Sequence, residues 1–234
     1  AIIINPLYAD PHNNIGLIFA KSQDFQKAKS HFKKAIEIKP KYTSALVNLG
    51  VIYVDLKEYQ NAENCFEKAI ESDQNNYGAY FALANLKKSQ EKIEEAKTLY
   101  LKSIEINPNF LEAQVNLGAL FYSSGDNEKA ESYYKRAIEI NPNSSIALQN
   151  ISNIYIARLD NFEKAIYSSN KALKIDIASQ PIRNKISFFR LKHSVEQAKH
   201  LSSKNYQIEG LDEFQKMGNE ILNRKENIQI KNIR

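Results

Sequence analysis

Cysteine, methionine and tryptophan are almost missing from this chain of 234 residues, which holds one Cys, one Met and no Trp. A single thiol, Cys65, closes no internal disulfide and supplies no cysteine-based zinc site, so the sequence fits a reducing cytoplasmic compartment. Glycine (seven) and proline (six) are also scarce. That is too few for an all-β chain with many tight turns or for a glycine-rich phosphate loop, and it favours helices. No apolar run approaches the roughly 18 residues of a membrane span. The opening Ala1-Ile2-Ile3-Ile4-Asn5-Pro6 lacks the basic leader and small-residue cleavage site of an export signal. No HExxH, Walker, dinucleotide-glycine or Ser-His-acid pattern is present. The expectation is therefore no catalytic residue, no cofactor and no membrane partner.

Of four histidines (12, 31, 193, 200), His193 and His200 fall seven apart without an acidic or cysteine partner at ligand spacing, so no metal site is expected there. Cys65 beside Phe66 reads as a packing thiol. The formal charge is +5, and its distribution argues against a nucleic-acid partner. Residues 1–42 carry +4 and the tail from 180 carries +5, but residues 43–76 carry −4 and 111–144 carry −2. A backbone-tracking stripe needs basic residues repeating along one face, and the acidic segments interrupt it. Asn, Ile and Lys make up about a third of the chain, a background against which any asparagine argument is weighed.

What is present is a period. Ala35-Ile36-Glu37-Ile38-Lys39-Pro40 recurs as Ala69-Ile70-Glu71-Ser72, Ser103-Ile104-Glu105-Ile106-Asn107-Pro108 and Ala137-Ile138-Glu139-Ile140-Asn141-Pro142, each 34 residues after the last. Ala1 lies one period before Ala35, so the chain begins inside a copy. Each period holds two helical patterns. Leu46, Leu49, Gly50 and Tyr53 share one face, Tyr59, Ala62, Phe66, Ala69 and Ile70 another, and Leu56-Lys57-Glu58 makes the turn. Small residues at Gly16, Gly50, Ala84, Gly118 and Ser152, and at Ala28, Ala62, Ala96, Ala130 and Ala165, allow the two helices close approach. Pro40, Pro108 and Pro142 end the second helix.

Leu46-x2-Leu49-Gly50-x2-Tyr53 followed by Ala62-x3-Phe66 resembles the tetratricopeptide repeat (TPR). Gln114-x2-Leu117-Gly118-x2-Phe121 with Ala130-x3-Tyr134 matches nearly as well. Five copies are read, at 9–42, 43–76, 77–110, 111–144 and 145–179, the last with one extra residue near Asp160-Asn161. Residues 1–8 close an upstream copy. Departures are Gln74 and Ile177 in place of proline, Lys87 in place of the aromatic, and Ser169 at the equivalent of Phe66, where looser packing is expected. The resemblance implies an all-α right-handed solenoid of antiparallel helix hairpins. Residues 180–234 form an irregular helical C-terminal cap or linker, with helices expected around Ile182–Phe189, Val195–Leu201 and Leu211–Leu222.

Members of the family bind peptides in a concave groove lined by the first helix of each repeat. Here the equivalent positions hold Asn14, Asn48, Ala82, Asn116 and Asn150, four asparagines in five sites. Asn13, Val47, Phe81, Val115 and Gln149 precede them, and Leu17, Val51, Asn85, Ala119 and Asn153 follow one turn later. An Asn amide offers both donor and acceptor, so a row of them can hold an extended backbone whatever its side chains. The row resembles the asparagine ladder in the repeat domain of the O-linked N-acetylglucosamine transferase. The alternative, that these amides pack one repeat on the next, stays open. The lysine and arginine carboxylate clamp of chaperone-binding members is not matched, since Asn13, Val47 and Ala82 stand at those sites.

The expected function is a non-catalytic scaffold binding a partner's peptide segment through Asn14, Asn48, Asn116, Asn150, Val51, Phe81, Asn85, Tyr122 and Asn153. The alternative is the adaptor or substrate-recognition region of a larger bacterial transferase or oxygenase whose catalytic domain lies outside this chain. Weak self-association through the terminal repeats is a third expectation.

Overall fold

The computed structural model describes residues 8–157, 162–175, 180–203 and 216–220. Besides a short helical stretch at 216–220, they form α1 (Ala9–Lys21), α2 (Phe25–Ile38), α3 (Thr43–Asp55), α4 (Tyr59–Ser72), α5 (Tyr77–Ser89), α6 (Ile93–Ile106), α7 (Leu111–Ser123), α8 (Asn127–Ile140), α9 (Ser145–Ala157), α10 (Phe162–Ile175) and α11 (Gln180–Ser203). The first helices start at residues 9, 43, 77, 111 and 145, the 34-residue step of the sequence. No strand occurs among the described residues. The chain divides into two units, Ala1–Leu120 and Phe121–Arg234.

One turn is used four times. In the second hairpin Lys57 N–H donates to Val54 O (2.9 Å) and Glu58 N–H to Tyr53 O (2.8 Å), the paired bonds of a Schellman motif, which needs a left-handed residue after the helix. That residue is Gln23 (φ 62), Lys57 (φ 61), Glu91 (φ 60) or Gly125 (φ 82). Only the last is free of a Cβ penalty there. The next helix is then capped in two hairpins by Asp24 and Asp126, whose carboxylates accept from Lys27 N–H (3.2 Å) and Lys129 N–H (3.1 Å). Between hairpins, Asp73, Asn107 and Asn141 accept from the backbone two residues on. An Asx turn thus makes the corner at Gln74, where the proline is missing.

In the first unit Ala28, Phe32, Leu49, Ile52, Tyr53, Ala62, Cys65, Phe66, Leu83 and Leu86 form one continuous buried cluster. Phe32 and Phe66 pack closely against glycine: a Cβ on Gly16 would come within 2.6 Å of the Phe32 ring, and one on Gly50 would overlap Phe66 as severely. This is the close helix approach that the small residues anticipate. In the second unit Leu148, Ala172 and Ile186 cluster, which seats α11 on the last hairpin. Ser169 is 1% exposed, and its hydroxyl lacks a hydrogen-bond partner. The serine that replaces the aromatic is thus a buried, unpaired polar atom, which carries a cost.

The tail differs from expectation at one point. The two helices expected around Ile182–Phe189 and Val195–Leu201 are one 24-residue helix, α11, because no glycine or proline interrupts the sequence between Pro181 and Ser203. Of the third expected helix only 216–220 is described and helical, and Gly218 there packs on Val195. Residues 1–8 except Tyr8, the insertion at Asp160-Asn161, and Ile177 lie outside the described residues, as does the rest of the tail.

Candidate functional site

The first helices of the first unit present alternating amides and apolar side chains. On α1, Asn14 is exposed and Leu17 is 38% exposed; one repeat on, in α3, Asn48 is half-buried and Val51 is 44% exposed. Leu17 and Val51 are therefore apolar groups that the packing of the hairpins does not consume. Phe81 on α5 is half-buried, its ring edge-on to Phe110 (4.8 Å between centroids, 67°) and tilted against Tyr100 (5.7 Å). Phe110 also meets Tyr77 edge-on at 4.9 Å. This four-ring cluster holds Phe81 in place and leaves part of its surface to solvent.

The asparagines bond to one another. Asn48 Nδ2 donates to Asn13 Oδ1 (3.0 Å), tying α3 to α1. Asn116 Nδ2 donates to Asn85 Oδ1 (3.1 Å) and to the Tyr100 hydroxyl (3.3 Å), while the Tyr100 hydroxyl donates to the same Asn85 oxygen. Burial pushes the Tyr100 phenol up to about 12, so it remains a donor at any ordinary pH. The third repeat carries Ala82 at the expected ladder site, and Asn85, one helical turn on, receives the bond instead. The sequence pattern does not single out Asn13 as a partner. Its only signal is that Asn13 and Asn14 are adjacent and one of them must turn inward; Asn13 is 5% exposed. In the second unit, Tyr122 is 38% exposed, and Asn150 and Asn153 are half-buried on α9.

Behind this face runs a polar seam. At the position of Tyr53, the third repeat carries Lys87, only 7% exposed. Its ammonium meets Glu63 of α4 at 2.5 Å and Glu95 of α6 at 3.0 Å. Burial works against the charge, but the two carboxylates outweigh it and hold the Lys87 pKa above its ordinary value; the hydrogen bond from Lys87 lowers that of Glu95. Where the aromatic is kept, a lysine lies over the ring instead: Lys29 over Tyr53 at 5.4 Å, Lys27 over Phe19 at 5.3 Å, and Lys129 over Phe121 at 5.2 Å. Lys29 and Glu63 stand one period apart, as do Tyr53 and Lys87, so both partners change together. Lys87 thus ties α5 to α4 and α6, and Lys29 ties α2 to α3.

Among the described residues no cluster of three or more His, Cys, Asp or Glu is placed to hold a metal, and no helix is long and apolar enough to cross a membrane. The His193 ring is half-buried on α11; the His200 side chain lies outside the described residues. Cys65 is buried, which pushes its thiol up to about 11.

No curated protein matches this sequence. Among solved structures, the chain is similar to MamA at 25% identity, with a TM-score of 0.61 over 69% of this chain and 94% of that one. It resembles YrrB, described as a TPR protein with an unusual peptide-binding site, at 24% identity and a TM-score of 0.58, over 77% of this chain and 92% of YrrB. A thermophilic TPR protein of Thermus thermophilus shares the fold at 16% identity, with a TM-score of 0.59 over 78% of this chain and 99% of its own. Family models of the tetratricopeptide repeat match residues 19–86, 77–110, 111–144 and 133–167. Those matches run in tandem through the hairpins described above, and the chain belongs to the tetratricopeptide repeat family.

Proposed function

We propose that the chain is a non-catalytic scaffold that binds an extended segment of a partner protein on its first-helix face. The observation that carries this reading is the pairing of solvent-reachable Leu17 and Val51 with the amides of Asn14 and Asn48 on consecutive first helices. Apolar side chains left open beside backbone-competent amides suit a peptide whose alternate side chains anchor while its main chain is held. Phe81, Asn85 and Asn116 extend this face in the first unit. Tyr122, Asn150 and Asn153 offer the same chemistry in the second. The peptide-binding description of YrrB supports the reading by analogy. Ordering a flexible peptide offsets much of the contact energy, so affinity is modest. A buried free thiol suits a reducing cytoplasm.

The test is selection from a displayed random-peptide library. Selected peptides should lose binding to Val51→Asp and to Asn14→Ala, with both variants as helical by circular dichroism as the parent. Selection of nothing, or of peptides indifferent to both changes, overturns the proposal.

A further inference from the structure

His12 on α1 and His31 on α2 bring their Nδ1 atoms to 3.2 Å. The same two positions hold Leu46 and Cys65 in the next hairpin, and Tyr80 and Leu99 in the one after. Two imidazoles thus stand at positions where the following repeats carry less polar side chains. His12 is only 9% exposed, and the His31 ring stacks on Phe19 at 5.5 Å and 24°. His31 is half-buried, so one edge of the pair reaches water.

The geometry points to a bidentate site for a divalent transition-metal ion, with zinc as the reference case, formed by His12 Nδ1 and His31 Nδ1. At a Zn–N length of about 2.0–2.1 Å, a nitrogen separation of 3.2 Å closes an N–Zn–N angle of roughly 100–106°, near the tetrahedral value. Ring centroids 5.4 Å apart show that the two nitrogens now face one another, as in an N–H···N hydrogen bond. Each ring must therefore turn by about 40° to aim at a shared vertex. Neutral imidazole is the ligand form. Two protein ligands leave the other tetrahedral positions to water, so the site binds and releases metal readily. The ion joins α1 to α2 across the first hairpin. This inference is independent of the peptide reading.

The experiment titrates the chelator-treated chain with zinc chloride at pH 7.5 by calorimetry, beside His12→Leu and His31→Leu, each verified by circular dichroism. One bound zinc per chain is expected, weakened at least tenfold in either variant, because loss of a ligand costs no less than loss of an outer-shell partner. Absence of zinc binding, or binding unchanged in both variants, overturns the proposal and leaves an inter-imidazole hydrogen bond only. Nitrogen-15 NMR of the unmodified chain decides the matter should either variant unfold. Zinc must shift the Nδ1 signals of His12 and His31, and a shift confined to the other two histidines overturns the site.

Discussion

Asn48 donates its side-chain N–H to the Asn13 carbonyl oxygen at 3.0 Å, while Asn14, adjacent to that acceptor, is exposed. Two neighbouring asparagines on α1 therefore do different work, and substitution separates them. Asn48→Ala is expected to cost about 0.5–1.5 kcal/mol of stability; Asn14→Ala is expected to leave stability within about 0.5 kcal/mol. Urea denaturation of the two variants measures this. A loss of peptide affinity in Asn14→Ala without a stability loss then reports contact with ligand.

Lys87→Met should destabilise the chain by about 1–3 kcal/mol, because it strands Glu63, whose side chain is 17% exposed. Adding Glu63→Leu removes the stranded charge and should recover most of the loss. A double-mutant cycle followed by chemical denaturation reads the coupling; additive losses would mean that the seam contributes nothing.

Gly50→Ala sets two effects against each other. Helix propensity gains about 1 kcal/mol, but the new Cβ meets the Phe66 ring, and overpacking of this kind costs about 1–3 kcal/mol. The Phe66 ring is 1% exposed and packed within the core, so it has little room to retreat, and a lower melting temperature is expected. The third repeat already carries Ala84 and Tyr100 at the corresponding positions, both fully buried.

Lys57→Gly should stabilise. Lys57 holds φ 61° in a Schellman turn, a conformation costing about 1–2 kcal/mol in a residue with a Cβ. Glycine relieves that strain and returns part of the gain as unfolded-chain entropy. A net gain of up to about 1 kcal/mol in denaturant unfolding is expected.

The Cys65 thiol, pushed up to about 11 by burial, should resist iodoacetamide at pH 8 and react only after unfolding. Its folded pKa lies above the unfolded value, so the folded state keeps the proton longer. This group leaves stability unchanged below the unfolded pKa and lowers it as pH rises from there toward 11. Cys65→Ala should flatten that alkaline decline.

The periodic part of this protein was legible without coordinates: the 34-residue step, the two helices per copy, the turn at Leu56-Lys57-Glu58 and the small residues at Gly16 and Gly50. Each depends on local spacing or on a volume limit repeated in every copy, and such signals add along the chain. The row Asn14, Asn48, Asn116 and Asn150 could be read for the same reason. Which amide meets which emerged from the packing of the helices alone. Asn48 reaches Asn13, and Asn116 reaches Asn85 rather than the alanine at position 82. Lys87 is seated between Glu63 and Glu95, and His12 faces His31. These contacts join residues 8 to 35 positions apart on different helices. Helical period fixes the face a residue occupies; the rotamer and the partner helix fix what it touches.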